Sequence, residues 1–169
     1  QFHNPRWKFD FESEAQMLRA CFGRSLVGLH HIGSSAIPNI MAKPIIDILG
    51  EAASLTEIDD RASVMRSFGY EVRGAYGIEG RRYFKKDPAS TQGPGYHVHV
   101  FECGSEHIAR HLRFRDYLLL KPDVAHAYSA LKITLSDQTG ALVADYAARK
   151  SQFVKQIEGE ALAHFGRNA

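Results

Sequence analysis

The order of the sequence patterns predicts an α+β fold. A helical pattern opens the chain, strand patterns fill its middle, and the last third, from Ser105 onward, carries only helical patterns. Helices and strands segregated in this way are typical of the α+β class, whereas strict alternation would indicate a doubly wound α/β sheet. The length of 169 residues predicts one domain spanning residues 1–169, because domains cluster near ~100 to 150 residues.

The N-terminal part predicts one helix followed by two strands. In residues 9–22, apolar side chains recur three and four positions apart, the spacing of an amphipathic helix. Residues 25–33 predict the first strand. Residues 43–50 predict a second, almost wholly apolar strand, which indicates burial on both faces. Gly50 is expected to end that strand.

The next segment predicts a second helix and then a return to strands. Ser54 and Glu57 stand at the spacing of a capping box. A helix is therefore expected from this point to about Phe68, where a glycine follows. Residues 70–73 then predict a short strand.

Two further strands and three helices complete the predicted architecture. RRYFKK (residues 81–86) and YHVHVFE (residues 96–102) have strand composition and are expected to be antiparallel members of one sheet. The final helices are expected to break near residues 121–122 and 137–140, where proline or glycine occurs. The result is a mixed or antiparallel sheet with an N-terminal helix and a C-terminal group of helices.

The composition excludes several classes of protein. Apolar residues make up 44% and charged residues 24%, as in folded globular proteins. The net charge of +2 is too small to predict nucleic-acid binding, and no apolar run approaches the ~18 residues of a membrane span. The first ten residues lack a secretory pattern, and Cys21 and Cys103 are not spaced as metal-binding pairs. We therefore expect a cytoplasmic protein, and no pattern indicates its oligomeric state.

The loop after the first predicted strand has the features of a phosphate-binding turn. Gly33 lets the backbone approach a ligand closely, and Ser34 and Ser35 offer hydroxyl and N–H groups to an anion. Asp47 follows thirteen residues after Ser34 in an otherwise apolar strand. A carboxylate is costly there unless it is paired, hydrogen-bonded or metal-bound. Asp47 either caps a neighbouring loop or has a functional role, and its apolar flanks favour the second interpretation.

Two of the nine histidines form a candidate group with that acid. His97 and His99 alternate along one strand, so their imidazoles share a face. They either ligate one metal ion or are satisfied polar residues on a half-exposed face. If their strand neighbours the second strand, Asp47, His97 and His99 converge into a catalytic and metal-binding group. The cofactor is then a divalent metal, and imidazole donors favour Mn, Fe, Zn or Ni over Mg.

Four segments, in this order and spacing, resemble the GrpB family. They are HIGSSAIPNIMAKPIIDIL, RRYFKK, HVHVF and EHIARHLRFRDYLLLKPDVAHAYSALK. The resemblance runs from about Trp7 to the C terminus and implies a nucleotidyltransferase-like α+β fold. It also implies kinship with a domain that is fused to dephospho-CoA kinase in some bacteria, for which an accessory role in folding has been proposed.

The chain departs from the nucleotidyltransferase signature at one position. In that signature a Gly-Ser turn precedes two acids one residue apart on a strand, and these acids hold two divalent cations against a nucleotide's phosphates. Leu49 stands where the second acid is expected. Glu51 lies on the same face by parity, but it follows Gly50 and is a poor substitute. The sequence therefore does not support the usual two-metal transfer.

Basic residues are the remaining candidates for phosphate contacts. They are Lys43, Arg82, Lys85, His107, His111 and Arg115. Strand parity puts Arg82 and Lys85 on opposite faces, so only one of them is expected to face the site unless a bulge intervenes. His107 and His111 stand one helical turn apart beside several arginines. That arrangement suits either a pocket rim that contacts phosphate or a solvated helix face.

Other lysines and histidines carry weaker signals. Lys132 is a further candidate, although the apolar stripe around it predicts plain core packing. His31 is expected to orient the loop. His3, His126 and His164 are expected to be ordinary surface or packing residues.

Together with these residues, the resemblance implies a nucleotidyltransferase-superfamily protein that binds a nucleotide or another small phosphorylated ligand with a divalent metal. Three activities stay open. The first is nucleotidyl transfer. The second is a non-catalytic accessory or binding role, which the missing second acid favours. The third is metal-dependent phosphoester hydrolysis, with Asp47, His97 and His99 around one activated water.

Overall fold

A computed structural model describes residues 2–89, 93–136 and 142–166. Its helices are α1 (Arg6–Phe22), α2 (Leu55–Asp59), α3 (Ala62–Ser67), α4 (Glu106–Leu120), α5 (Pro122–Ser136) and α6 (Leu142–Phe165). Its strands are β1 (Leu26–Ile32), β2 (Ile45–Ala52), β3 (Glu71–Val72), β4 (Arg81–Lys86) and β5 (Gly95–Glu102). Two one-turn 3₁₀ helices lie at Gly23–Ser25 and Ser34–Ala36.

The five strands form one mixed sheet in the order β1-β2-β5-β4-β3. β2 pairs antiparallel with β1 and parallel with β5, and β4 pairs antiparallel with both β5 and β3. The predicted α+β class is confirmed, as is the predicted antiparallel pairing of β4 with β5. The conditional expectation that the β2 and β5 strands are neighbours is met by their parallel ladder.

β2 begins and ends two residues later than the sequence predicts, and Gly50 does not end it. Gly50 pairs with Leu29 on one side and Val100 on the other, and the strand continues to Ala52. A Cβ at position 50 would lie 3.1 Å from a methyl group of Val100. The glycine therefore makes room for a cross-strand neighbour and is not a strand terminator.

The predicted helix after Ser54 is wrong in two respects. Ser54 precedes α2, but its side chain makes no capping hydrogen bond, so the capping box does not form. The helix also divides into α2 and α3, because the Arg61 N–H bonds the Ile58 carbonyl in a tighter turn. The strand predicted over residues 70–73 is only two residues long. The break expected at residues 137–140 lies outside the described residues.

One face of the sheet carries the main hydrophobic core. Strand alternation sends one set of side chains from β2, β4 and β5 toward α1, α2 and α3, where they are almost completely buried. The set comprises Ile46, Ile48, Phe84, Val98 and Val100. Across from it lie Leu18 and Phe22 of α1 together with Ile58 and Met65. This layer fixes the sheet, so the opposite face is free to carry polar side chains.

The opposite face, termed here the site face, has an apolar patch beside its polar residues. Leu49 of β2 is fully buried there against Phe101 of β5, Ile32 at the end of β1 and Ile108 of α4. Helix α4 thus rests on the sheet at the position that the sequence pattern would assign to a second acid. A third cluster joins Ile37 and Ile40 of the loop before β2 to α4, α5 and α6.

The C-terminal helices therefore hold the Gly33 loop against the sheet.

No helix in the described parts of the chain has the length and apolar character needed to cross a membrane.

Leu49→Asp would lower the free energy of unfolding by about 4 kcal/mol or more. The substitution removes a fully buried side chain and places a carboxylate among Ile32, Phe101 and Ile108. Urea denaturation measures the loss. Leu49→Ala is the matched control and should cost about 2–4 kcal/mol, since it leaves only a cavity. An Asp variant as stable as the native chain would contradict this account of the position.

Candidate functional site

Asp47, His97 and His99 meet on the site face. The parallel register places Asp47 beside His97 and Leu49 beside His99. Asp47 Oδ1 lies 3.5 Å from His97 Nδ1 and 3.5 Å from His99 Nε2. The Asp47 side chain is 29% exposed, so a ligand can reach it. The convergence that the sequence predicted only conditionally is present in the structure.

The two imidazoles keep Asp47 ionised. Burial alone would raise the pKa of this carboxyl. The contacts with His97 and His99 act in the other direction and hold the pKa of Asp47 below its usual value. The site therefore presents a carboxylate, and not a carboxylic acid, to any ligand at neutral pH.

Gly33 packs directly against that carboxylate. Its φ of 72° and ψ of −174° lie in a region that is almost exclusive to glycine. A Cβ at this position would lie 2.5 Å from Asp47 Oδ2, well inside any allowed contact. Gly33, which the sequence predicts to let the backbone approach a ligand closely, therefore makes room for the Asp47 carboxylate. Its small size brings the turn into contact with this acid.

Tyr83 is a site residue that the sequence analysis missed. Its ring stacks on His99 with a centroid distance of 5.1 Å and meets His97 edge-on at 5.7 Å. It lies directly opposite His99 in the β4–β5 ladder and is only 7% exposed. Its place on the same strand face as Lys85 was the available signal. Tyr83 fixes the orientation of both imidazoles.

His111 and His107 reach the site from α4. His111 Nδ1–H donates to the His107 carbonyl at 2.6 Å, and its ring faces His99 at a centroid distance of 6.4 Å. Burial lowers the pKa of His111 to about 4, so the ring is neutral at physiological pH. The His107 ring stacks on Phe101 at 4.8 Å. His111 can offer a neutral nitrogen beside His99, whereas His107 has a packing role.

The two serines of the turn differ in their surroundings. Ser34 Oγ accepts a hydrogen bond from Lys132 Nζ at 2.7 Å. Ser35 is 1% exposed, and its hydroxyl pairs with His31 Nε2 at 3.0 Å. The Ser35 side chain is therefore part of the loop's internal structure, and His31 orients the loop as predicted. His3, expected to be ordinary, contacts the Ser35 carbonyl with its Nε2 at 3.1 Å.

The basic candidates divide by face. Arg82 lies on the core face, where it forms an ion pair with Asp59 at 2.5 Å, so the structure does not bring it to the site. Lys85 lies opposite His97 on the site face and pairs with Asp87 at 2.7 Å. Lys43 is exposed just before β2.

Arg115 of α4 contacts the strand that leads into the turn. It donates to the His31 carbonyl at 3.2 Å and pairs with Asp116 at 2.7 Å. It therefore braces the end of β1, two residues before Gly33. The neighbouring Arg110 is paired with Glu158 at 2.7 Å. Each of these guanidinium groups already has an acidic partner.

Glu51 does not serve as the missing second acid. It remains within β2 on the site face, contrary to the expected end of the strand at Gly50. His30 Nε2 lies 2.6 Å from its Oε1, so the carboxylate is already paired.

The donors do not fit a resident metal centre as they are arranged. In the described ranges, no group of three or more His, Cys, Asp or Glu side chains is placed to hold a metal ion. The two His contacts converge on a single oxygen of Asp47, as in a shared hydrogen-bonding contact. The position of the second acid is buried beneath α4. The pair of cations that the nucleotidyltransferase signature implies therefore does not fit this site.

Fold and site together define an α+β protein with a carboxylate and imidazole cluster beside a glycine turn. The chain belongs to the GrpB family. The model of that family, described as GrpB protein, matches residues 1–160. The crystal structure of conserved protein GrpB from Enterococcus faecalis is similar to it, with a TM-score of 0.85 and 35% identity over 98% of each chain.

The chain is also 39% identical over 159 residues to the UPF0157 protein YqkA of Bacillus subtilis. The matched region covers 94% of this chain and 46% of that relative, so the chain spans about half the length of YqkA. A structure of Cid1 in complex with its short product ApU aligns with a TM-score of 0.42 and 13% identity, over 73% of this chain and 42% of Cid1.

Gly33→Ala would destabilise the protein by about 1–3 kcal/mol and displace Asp47. The substitution forces a side chain into a glycine-only backbone region and into contact with Asp47 Oδ2. Thermal unfolding measures the loss. Gly104→Ala is the control, since it also has a positive φ of 85° but meets no neighbour. An equal loss in both variants would show that the contact with Asp47 adds nothing.

Stability should fall as the pH is lowered from about 6.5 to about 4. The unfolded chain protonates His111 near its ordinary pKa of 6.5, whereas the folded chain resists protonation until about 4. The unfolded state thus binds more protons in this window, so acid favours it. His111→Asn should remove on the order of 2 kcal/mol of that pH-dependent loss. Urea denaturation at pH 7 and pH 4.5 tests this, with exposed His126→Asn as the control.

Proposed function

We propose that this GrpB-family protein binds a nucleotide or another small phosphorylated ligand, together with a divalent cation, on the site face of its sheet. The Gly33–Ser34 turn lies at the phosphates, and Asp47 supplies the carboxylate. His97 and His99 orient Asp47 and complete the polar floor of the site. Any cation would enter with the ligand's phosphates, because the side chains in the described part of the chain do not by themselves form a metal centre.

One observation carries this proposal. An ionised carboxylate lies in contact with a glycine-only turn and with two imidazoles, and all of them are partly accessible. Imidazoles 3.5 Å away already hold this carboxylate in its ionised form. A ligand-borne cation would bind at this accessible negative charge.

The geometry favours binding over the usual nucleotidyl transfer. Two-metal transfer needs a second carboxylate beside Asp47, and Leu49 closes that position under α4. The donors of a single-ion hydrolase, Asp47, His97 and His99, are adjacent but converge on one oxygen. A non-catalytic binding or accessory role therefore agrees best with this face.

An activity assay separates the three alternatives. The chain is incubated with each nucleoside triphosphate and Mg²⁺ or Mn²⁺, and pyrophosphate release and nucleotidylated products are followed. Absence of turnover together with measurable nucleotide binding supports the binding role. Release of pyrophosphate would establish transfer. Hydrolysis of a simple phosphoester, with stoichiometric transition metal in the purified protein, would establish the hydrolase.

Asp47→Asn should abolish the metal-dependent part of nucleotide binding. The amide keeps the shape of the side chain but removes the negative charge that attracts a cation. Isothermal titration calorimetry with and without Mg²⁺ or Mn²⁺ measures the effect, which we expect to exceed tenfold in Kd. Asp145→Asn, on the exposed face of α6, is the matched control. Unchanged metal and nucleotide affinity in the Asp47 variant would refute the proposal.

A further inference from the structure

Lys132 of α5 reaches the glycine turn from the C-terminal helices. Its Nζ donates to Ser34 Oγ at 2.7 Å and to the Met41 carbonyl at 2.7 Å. The ammonium also lies 4.6 Å from the centre of the Tyr128 ring. The helix around Lys132 packs in a hydrophobic cluster, as the sequence predicts. The ammonium group of Lys132, however, lies at the site.

A second residue of α5 fixes the position of this lysine. The Met41 N–H donates to Ser129 Oγ at 2.8 Å, one turn before Lys132. Ser129 is 7% exposed. Helix α5 therefore binds the backbone of Met41 at both its N–H and its carbonyl. These two contacts leave little freedom for the Lys132 ammonium to move away from Ser34.

The Lys132 ammonium lacks a negative partner within the described residues. Its contacts are a hydroxyl, a carbonyl and an aromatic ring, all of them neutral. The charge that faces it from α6 is Lys150, and burial together with that charge lowers the pKa of Lys132 to about 8. Other cations near the site, Lys85 and Arg115, have carboxylate partners. A half-buried cation without a counter-ion favours the arrival of an anion.

We propose that Lys132 and Ser34 bind a second phosphate group of the ligand, next to the one at Asp47, so that the ligand is a di- or triphosphate. This inference rests on the proposed function. Gly33 contacts Asp47 and the adjacent Ser34 contacts Lys132. Gly33 and Ser34 are consecutive residues, whose Cα atoms are ~3.8 Å apart, so the Lys132 contact lies one residue along the turn from the Asp47 contact. The carboxylate side suits the cation-bearing phosphate, and the ammonium side suits the next one.

Binding of mono- and diphosphates tests the proposal. In the presence of Mg²⁺, calorimetry should give at least tenfold tighter binding of ADP than of AMP, and of inorganic pyrophosphate than of orthophosphate as a base-free pair. Lys132→Met should remove this preference and leave AMP and orthophosphate binding nearly unchanged. Lys155→Met, an exposed lysine of α6, loses the same charge and should keep the preference. Thermal unfolding checks that each variant is folded.

Proton uptake on ligand binding distinguishes a phosphate-binding lysine from a purely structural one. A phosphate at Lys132 stabilises the ammonium and raises its pKa above about 8. At pH 8.5, where ADP is already fully ionised, ADP binding should therefore take up a fraction of a proton. Titrations in buffers of different ionisation enthalpy measure this uptake, which should be absent in Lys132→Met.

The outcomes distinguish this inference from the proposed function. Equal binding of ADP and AMP by the native chain, or an unchanged preference in Lys132→Met, overturns the diphosphate assignment and leaves phosphate binding at Asp47 standing. No binding of any of the four probes by the native chain overturns both.

Discussion

The parallel pairing of β2 with β5 is the constraint on which the site depends. It sets Asp47 beside His97 and brings His99 within 3.5 Å of the same carboxylate oxygen. A shift of one residue in this register would turn the imidazoles toward the hydrophobic core. The register is fixed by the core-face residues Ile46, Ile48, Val98 and Val100, all fully buried. Apolar packing on one face of the sheet therefore determines the polar chemistry on the other.

Much of this arrangement follows from the sequence through strand periodicity. Alternation alone places His97 and His99 on one face and predicts that Arg82 and Lys85 are on opposite faces. Periodicity does not say which face of a sheet the helices cover, so the sequence alone does not exclude Arg82 from the site, whereas the structure pairs it with Asp59. Gly50 was similarly ambiguous, because a glycine that ends a strand and one that makes room for Val100 look alike in sequence.

Contacts between distant segments were the least predictable part. Lys132 lies in an apolar helical stripe, and nothing local to α5 indicates that its ammonium reaches Ser34. Tyr83 stands between basic residues in RRYFKK, yet its ring contacts both site histidines. The sequence shows only that Leu49 replaces the second acid of the nucleotidyltransferase signature. The structure explains this leucine, because it is buried under Ile108. Helix α4 packs where the second acid of the nucleotidyltransferase signature would need to be solvated.

The contact between Lys132 and Ser34 joins residues 98 positions apart, and this separation bears on how the protein folds. Contacts between segments so distant in sequence form late, because closing the intervening chain costs entropy that few early contacts offset. During synthesis the sheet strands leave the ribosome well before α5 does. The nascent chain therefore has to keep the Gly33 turn, and the apolar residues Ile37 and Ile40 beside it, without their helical cover until the last third has been made.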